Sequence, residues 1–350
     1  MNIYTIKLCS EENKPQLIEF IRKYWKEDHI FVKSDELFRF QHYNSVDNMY
    51  NFYIGINSLT NEIDGITGVI PLAHYDPNLK IYNDTWGGIW KIRTDVHNDE
   101  IALLGLMLFE TFDAYNSHAS IGMSPIAWKL HKLRKYTMGY MKQYYILNEE
   151  CINFHVADVP VKYQGRNQHY KPTSDYKLVE LENLNGLTDM DVQHYYYPKK
   201  SLRYLINRFQ LHPVYKYHFW GLYAGDRLQA ILIGRLISVD GHNVIRIMDV
   251  YGKLEGVSSI YSEVQKLLKE HHAEYLDCMN YGIDPTVFDE LGFSLLDVNG
   301  DLIIPNYFEP FERRNIALNC AYRANFHYTI FKADSDQDRP NYIKDTHNNE

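Results

Sequence analysis

The chain has 350 residues, of which 45 % are hydrophobic, 15 % aromatic and 23 % charged. That is enough apolar material for a sizeable core, and it excludes wholesale disorder. Thirty-six Lys and Arg stand against 45 Asp and Glu, so 36 − 45 gives a formal charge of −9, which argues against a dedicated DNA or RNA binder. The length exceeds one ordinary domain and suits two. Cys9, Cys151, Cys278 and Cys320 are widely spaced, without a CxxC pair, and read as reduced thiols of a cytoplasmic protein. Residues 1–26 carry Lys7, Glu11, Glu12 and Lys14 and lack the apolar stretch of a signal peptide. The longest apolar run, Ile101 to Phe109, is too short to span a bilayer, which takes about 20 residues.

In chain order, Lys14 to Lys26 places Leu17, Ile18, Phe20, Ile21, Tyr24 and Trp25 at helical spacing. Phe52 to Ile56 and Ile66 to Leu72 read as a strand pair, and Gly88 to Ile92 as a third strand. A loop (Arg93 to Glu100) leads to a helix from Ile101 to Tyr115, a strand from Ala119 to Met123, and a helix from Pro125 to Tyr136. A strand follows from Tyr140 to Leu147. Residues 158–200, with Pro160, Gly165, Pro172, Gly186 and Pro198, read as a connector. The order then returns: a helix at Ser201 to Leu211, a hairpin of Tyr217 to Tyr223 and Leu228 to Ile237, and a strand at Val244 to Val250. A loop and a helix from Val257 to Glu270 come next, then a strand at Glu274 to Met279, a helix at Pro285 to Leu291, and a strand opened by Gly292-Phe293.

The halves superpose. Ile89 to Arg93 falls on Val244 to Met248, Ser120 to Met123 on Tyr275 to Cys278, and Tyr136 to Tyr140 on Leu291 to Leu295. In each case the shift is 155 residues (244 − 89, 275 − 120, 291 − 136). The expected division is an N-terminal unit at 1–157, the connector at 158–200, a C-terminal unit at 201–341 and a polar tail at 342–350. The repeated order of helix, antiparallel strands, loop–helix, strand, helix, strand resembles the Gcn5-related N-acetyltransferase (GNAT) superfamily. Gly292-Phe293 and the tyrosine Tyr281 after a strand fit the same resemblance. It implies an α/β fold with mixed sheets in two tandem GNAT-like domains. It also implies acetyl-CoA or another acyl-CoA as co-substrate, with its pyrophosphate held by a loop at a helix N-terminus.

The family's loop reads Arg/Gln-x-x-Gly-x-Gly/Ala. The first copy, Arg93 to Glu100, has no glycine and three acids; the second, Gly252 to Ser259, has two glycines, a lysine and two hydroxyls. The expected cofactor contacts are therefore Gly252, Lys253, Gly256, Val257, Ser258 and Ser259, with the first copy degenerate. Asp249 is the candidate base and Tyr281 the candidate acid for the leaving thiolate. The alternatives are a strand-end carboxylate capping backbone donors and a packing tyrosine. Arg208 and His212, at i and i+4, with Arg203, are candidates for an acceptor's phosphate or carboxylate, or for an interdomain face. Tyr215, Asn306 and Glu309 suit sugar hydroxyls, or a proline-pinned corner. In Asp334-x-Asp336-x-Asp338 the EF-hand pattern fails at Arg339 and Asp345. What remains is a structural Asp338–Arg339 pair, a substrate role for Asp336, Asp338 and Arg339, or a glycosyltransferase DxD. No metal is expected.

Segments 203–217, 304–311 and 331–341 resemble GNAT-like or FemAB-like proteins of bacterial surface-polysaccharide pathways. That resemblance implies a sugar or nucleotide-sugar acceptor. The expected activity is acyl transfer from acyl-CoA to an amino group of such a sugar. Aminoacyl transfer of the FemAB type, non-catalytic sugar or partner binding, and DxD glycosyl transfer are the other readings.

Overall fold

The computed structural model describes residues 3–97, 99–164 and 175–341. The middle of the expected connector and the polar tail lie outside them. The first half comprises strand β1 (Tyr4–Ser10), helices α1 (Lys14–Tyr24), α2 (Ile30–Lys33) and α3 (Asp35–His42), and strands β2 (Tyr43–Asn44), β3 (Met49–Asn57), β4 (Ile63–Pro71) and β5 (Asp84–Ile92). It continues with α4 (Asp99–Glu110), β6 (Ser117–Ile121), α5 (Pro125–Leu133), β7 (Thr137–Tyr140) and β8 (Lys142–Leu147). The second half runs β9 (Tyr176–Leu181), α6 (Leu202–Leu205), β10 (His218–Ala224), β11 (Arg227–Val239), β12 (His242–Gly252), α7 (Tyr261–Glu270), β13 (Ala273–Tyr281), α8 (Pro285–Leu291) and β14 (Ser294–Leu295). A small hairpin, β15 (Tyr307–Phe308) with β16 (Phe311–Glu312), precedes β17 (Asn319–Arg323) and β18 (Ile330–Phe331).

Local chemistry sets several of these boundaries. The Ser124 and Asp284 side chains accept from Ala127 N and Thr286 N, and each is followed by a proline in the first helical turn. Gly292, at φ 93°, stops α8 in the left-handed region. Strand β4 is buried over eight of its nine residues because α1 and α3 cover one face and α4 the other.

The strands form two mixed sheets, ordered β1-β3-β4-β5-β6-β17-β7 and β9-β10-β11-β12-β13-β8-β14. Each holds one parallel pair, β5 with β6 and β12 with β13, in an otherwise antiparallel array. The class is the expected one, α/β with two mixed sheets of similar strand order. The expected single strand from Tyr140 to Leu147 is divided at Met141. β7 closes the first sheet, whereas β8 crosses into the second and pairs with β13 and β14. In return β17 enters the first sheet between β6 and β7. The connector reading also missed β9, which forms the edge of the second sheet against β10.

The largest buried cluster joins Trp86, Ala119 and Met141 to Phe209, Ile231, Met248, Met279 and Ile330, so it straddles both sheets. Among the described residues no helix is long and apolar enough to cross a membrane.

Both parallel pairs diverge. β5 continues to Ile92, although its pairing with β6 stops at Trp86↔Ala119; β12 continues to Gly252, although its pairing with β13 stops at Ile247↔Cys278. In the second sheet the C-terminal segment fills the gap. β18 pairs with Asn280 and Tyr281, and Ala333 N donates to Met248 O at 2.9 Å. The segment then reaches the apex of the first gap, where Ser335 Oγ donates to Gly87 O and Gln337 Nε2 to Ile121 O at 3.2 Å.

Ending the chain at Asn315 removes a strand from each sheet and the filling of the second gap. The expected outcome is loss of the cooperative thermal transition by circular dichroism. A truncated chain that melts as sharply as the full one contradicts the exchanged-strand architecture.

Candidate functional site

The second gap is where the expected catalytic base lies, and its own chain occupies it. Asp249 is fully buried, accepting from Lys200 Nζ at 2.6 Å and from Val250 N at 2.8 Å; Lys200 also donates to Asp334 at 2.9 Å. Burial pushes the Asp249 carboxyl up to about 6 against the pull of Lys200. Burial pulls the other way on Lys200, but Asp249 and Asp334 outweigh it and hold the ammonium above its usual value. Tyr281 is elsewhere, packed on Gly139 beside a surface cavity of about 360 Å³ with Lys142 and His327, so the expected acid and base are not brought together.

Part of the expected anion loop is bonded to its own protein. Leu254 N donates to Tyr196 OH at 3.0 Å, and Val257 N to Leu254 O at 3.1 Å. Lys253 lies over the Tyr195 ring. Gly252 packs against Ala230 across the β11–β12 ladder and Gly256 takes φ 82° in a solvent-facing turn. Val257 and Ser259 are buried, Ser258 is exposed, and the helix begins only at Tyr261, where Ser259 Oγ accepts from Tyr261 N at 3.3 Å.

The first gap is open. Beyond Trp86 it holds a cavity of about 790 Å³ bounded by β5, α4, β6 and α5, lined mainly by apolar side chains such as Trp90, Ile92, Phe109, Phe112, Ile121 and Met123. A polar chain marks its wall. Ser120 Oγ lies 3.2 Å from His118 Nε2, and His118 Nδ1 lies 2.9 Å from Tyr136 OH. His118 and Ser120 share a face because they are two apart on a strand. A Cβ at Gly87 would sit 2.4 Å from Ser120 Oγ, so a glycine is required opposite that hydroxyl. Burial holds His118 neutral, far below its ordinary pKa, and pushes Tyr136 up to about 12. A neutral imidazole between two hydroxyls carries one N–H and one lone pair, so it can pass a proton from one to the other. At the mouth, Arg93 is held by Asp64 (2.6 Å) and Asp95 (2.7 Å), and Lys91 and Asp99 also line the cleft, so its rim carries both signs of charge. The sequence reading passed over this gap. The available signals were Gly87-Gly88 at mid-strand and His118-x-Ser120.

The structure brings Asn306, Glu309, Asp336, Asp338 and Arg339 to a polar pocket of about 110 Å³ between the units, together with Arg235, Lys332 and Gln337, which sequence reasoning did not single out. Tyr215 stands behind it, donating to Glu309 at 2.8 Å. Arg208 is not on a ligand face. Its turn is π-helical, and it donates to Tyr75 OH at 2.9 Å and to the Ala333 carbonyl at 2.6 Å. His212 Nδ1 accepts from Val214 N (3.1 Å) and Tyr215 N (2.9 Å), while Arg203 is exposed beside Asp76. The expected Asp338–Arg339 pair is replaced by Asp338 with Arg235 at 2.7 Å and Arg339 with Asp336. The three aspartates diverge: Asp334 goes to Lys200, Asp336 to Gln41 and Asp338 to Tyr217 and Arg235. No group of three metal-ligating side chains is found among the described residues. Segments 203–217, 304–311 and 331–341 thus build the seam between the units and the filling of the second gap.

No protein-family model matches the sequence, and no curated protein matches it. Solved structures do resemble it. A GCN5-related N-acetyltransferase of Anabaena variabilis is 12 % identical with a TM-score of 0.48, covering 91 % of this chain and 72 % of that one. A GCN5-related N-acetyltransferase of Sphaerobacter thermophilus is 9 % identical at a TM-score of 0.42, with 92 % and 96 % covered. The Saccharomyces cerevisiae N-myristoyltransferase solved with bound myristoyl-CoA is 7 % identical at 0.40, with 93 % and 81 % covered.

Two stability measurements follow from these buried charges. Lys200→Met leaves Asp249 and Asp334 without their cation and is expected to cost about 3–5 kcal/mol in chemical denaturation; a cost near zero contradicts the triad. Burial also lowers the pKa of seven histidines: 29, 42, 74, 118, 131, 194 and 212. As pH falls through about 6.5 the unfolded chain takes up their protons first, so stability drops. Asp249, raised to about 6, and Asp84, also raised by burial, act in the opposite sense but are outnumbered. The melting temperature is expected to fall between pH 7 and pH 5. A flat profile contradicts the neutral burial of these rings.

Proposed function

We propose that the protein is an N-acyltransferase that takes its acyl group from an acyl-CoA bound in the gap between β5 and β6. The observation that carries the reading is an open apolar cleft between diverging parallel strands with Ser120 at its wall and His118 and Tyr136 buried behind that hydroxyl. Past Trp86 no strand pairs with this side of β5 among the described residues, so its backbone offers a free edge to an extended thioester arm. Trp90, Phe109, Phe112 and Met123 give the acyl group an apolar wall.

In this reading the amine attacks the thioester carbonyl, the C–S bond breaks and the thiolate takes the Ser120 hydroxyl proton. His118 restores Ser120 from Tyr136, and the proton the amine nitrogen loses goes to solvent, from which Tyr136 is restored. The seam pocket on the other side of Gln337 receives the amine acceptor. On the scale by which a cavity of about 150 Å³ holds benzene, that pocket of about 110 Å³ has room for about four or five heavy atoms. A nucleotide sugar is far larger than that. The mainly apolar lining of the cleft favours acyl chains longer than acetyl.

Calorimetric titration with acetyl-, octanoyl- and dodecanoyl-CoA tests the reading, with affinity expected to rise along the series. Ala102 lines the cleft on the exposed side of α4. Ala102→Trp is expected to weaken binding at least tenfold with an unchanged melting temperature. Ser120→Ala is expected to bind as the parent does while thiol release falls about 100-fold. Absence of binding by all three esters, or full turnover in Ser120→Ala, overturns the reading.

A further inference from the structure

We propose that the seam pocket is a recognition site for the carboxylate of a small amino-acid-like zwitterion, held by Lys332 and Arg339. The argument starts from which polar groups there are already satisfied. Asp338 is engaged by Arg235 and Tyr217, and Asp336 by Gln41 at 2.7 Å and by Arg339. Glu309 accepts from Tyr215 OH and from Asn341 N, both at 2.8 Å. Arg246 is spent on Asp277, at 2.7 and 2.9 Å, and on the carbonyls of Pro305 and Asn306.

Two cationic groups remain. Lys332 is 6 % exposed, lines the pocket, and has neither a hydrogen bond nor an ion pair among the described residues. The Arg339 Nε is buried without a partner. A buried ammonium with no direct partner is costly, even with Asp338 and Asp277 nearby, and an anion arriving in the pocket lowers that cost. Burial pulls the Lys332 amine down to about 8, which still leaves it largely protonated at neutral pH.

The chemical class follows from what else lines the space. Glu309, Asp336 and Asp338 face the same cavity, so a dianion such as phosphate meets three carboxylates. A zwitterion places its anion on Lys332 and its ammonium toward those acids. The volume is close to the heavy-atom count of glycine, so a longer side chain extends toward the pocket's open side. Gln337 lines this pocket while donating to Ile121 O in the wall of the apolar cleft, so the two spaces adjoin. Only the assignment of this ligand as the acyl acceptor rests on the acyl-transfer reading; the site itself does not.

The test is thermal-shift and calorimetric titration of the full chain with glycine, alanine, serine and glutamate, each beside its carboxamide, and with inorganic phosphate. At least one free amino acid is expected to bind, with its carboxamide at least tenfold weaker. Lys332→Met is expected to abolish that binding while melting no lower than the parent, since it removes an unpaired buried charge. Lys332→Arg, which keeps the cation, is expected to retain it. Equal binding of acid and carboxamide, binding of phosphate alone, or no binding by any of the four amino acids overturns the site. Acyl-CoA binding without amino-acid binding overturns this site and leaves the transfer reading standing; the converse overturns the transfer reading and leaves the site.

Discussion

Where two parallel strands diverge inside a sheet, the backbone groups along both inner edges lose their partners, and buried amides and carbonyls do not stay unpaired. This protein meets that constraint twice. In the second sheet the wedge between β12 and β13 is filled by polypeptide, with β18 laddered onto β13 and Ala333 bonded to Met248. In the first sheet only the apex is filled, by Ser335 and Gln337, and the rest of the wedge stays open. Two copies of one architecture thereby acquire opposite characters: one is closed by its own chain, the other presents a cleft.

The buried ion pairs make sense against that background. Lys200 with Asp249 and Asp334, Arg235 with Asp338, and Arg208 on the Ala333 carbonyl all converge on residues 333–338. Desolvated pairs of this kind contribute little net stability, because the cost of stripping water from each charge offsets the attraction. What they do supply is register. A segment sliding by one residue would present Ser335 to Lys200 and leave two carboxylates stranded. The DSDQDRPN stretch is polar because it is a set of positional locks threaded between two sheets.

Much of the architecture was readable from local pattern. Helix α8 is bounded as Asp284, Pro285 and Gly292 dictate, and the 155-residue repeat finds its counterparts in β5 with β12 and β6 with β13. Other features left no local trace. Nothing in Tyr140 to Leu147 marks the chain's passage from one sheet to the other at Met141, because both halves of the run are good strand sequence and the decision is made by partners about 130 residues away for β8 and about 180 for β7. Glycine count in the two loops pointed to the second copy, but glycines there serve a tight ladder at Gly252 and a turn at Gly256. Whether a wedge is open depends on residues 330–337, remote in sequence from either loop. The Ser120–His118–Tyr136 chain was within reach of a reading that followed strand alternation, and Lys332 was not, since only burial reveals an unpaired lysine.

The exchange of β8 and β17 also governs how the chain comes into being. The first sheet lacks its strand between β6 and β7 until Asn319–Arg323 exists, so a nascent chain that has made β7 waits through some 180 further residues. At synthesis rates of about 5–20 residues per second, that is roughly 10–40 s with two strand edges unsealed. Such edges recruit stray strands. Residues 319–323 thus decide whether a sheet begun at Tyr4 is ever sealed.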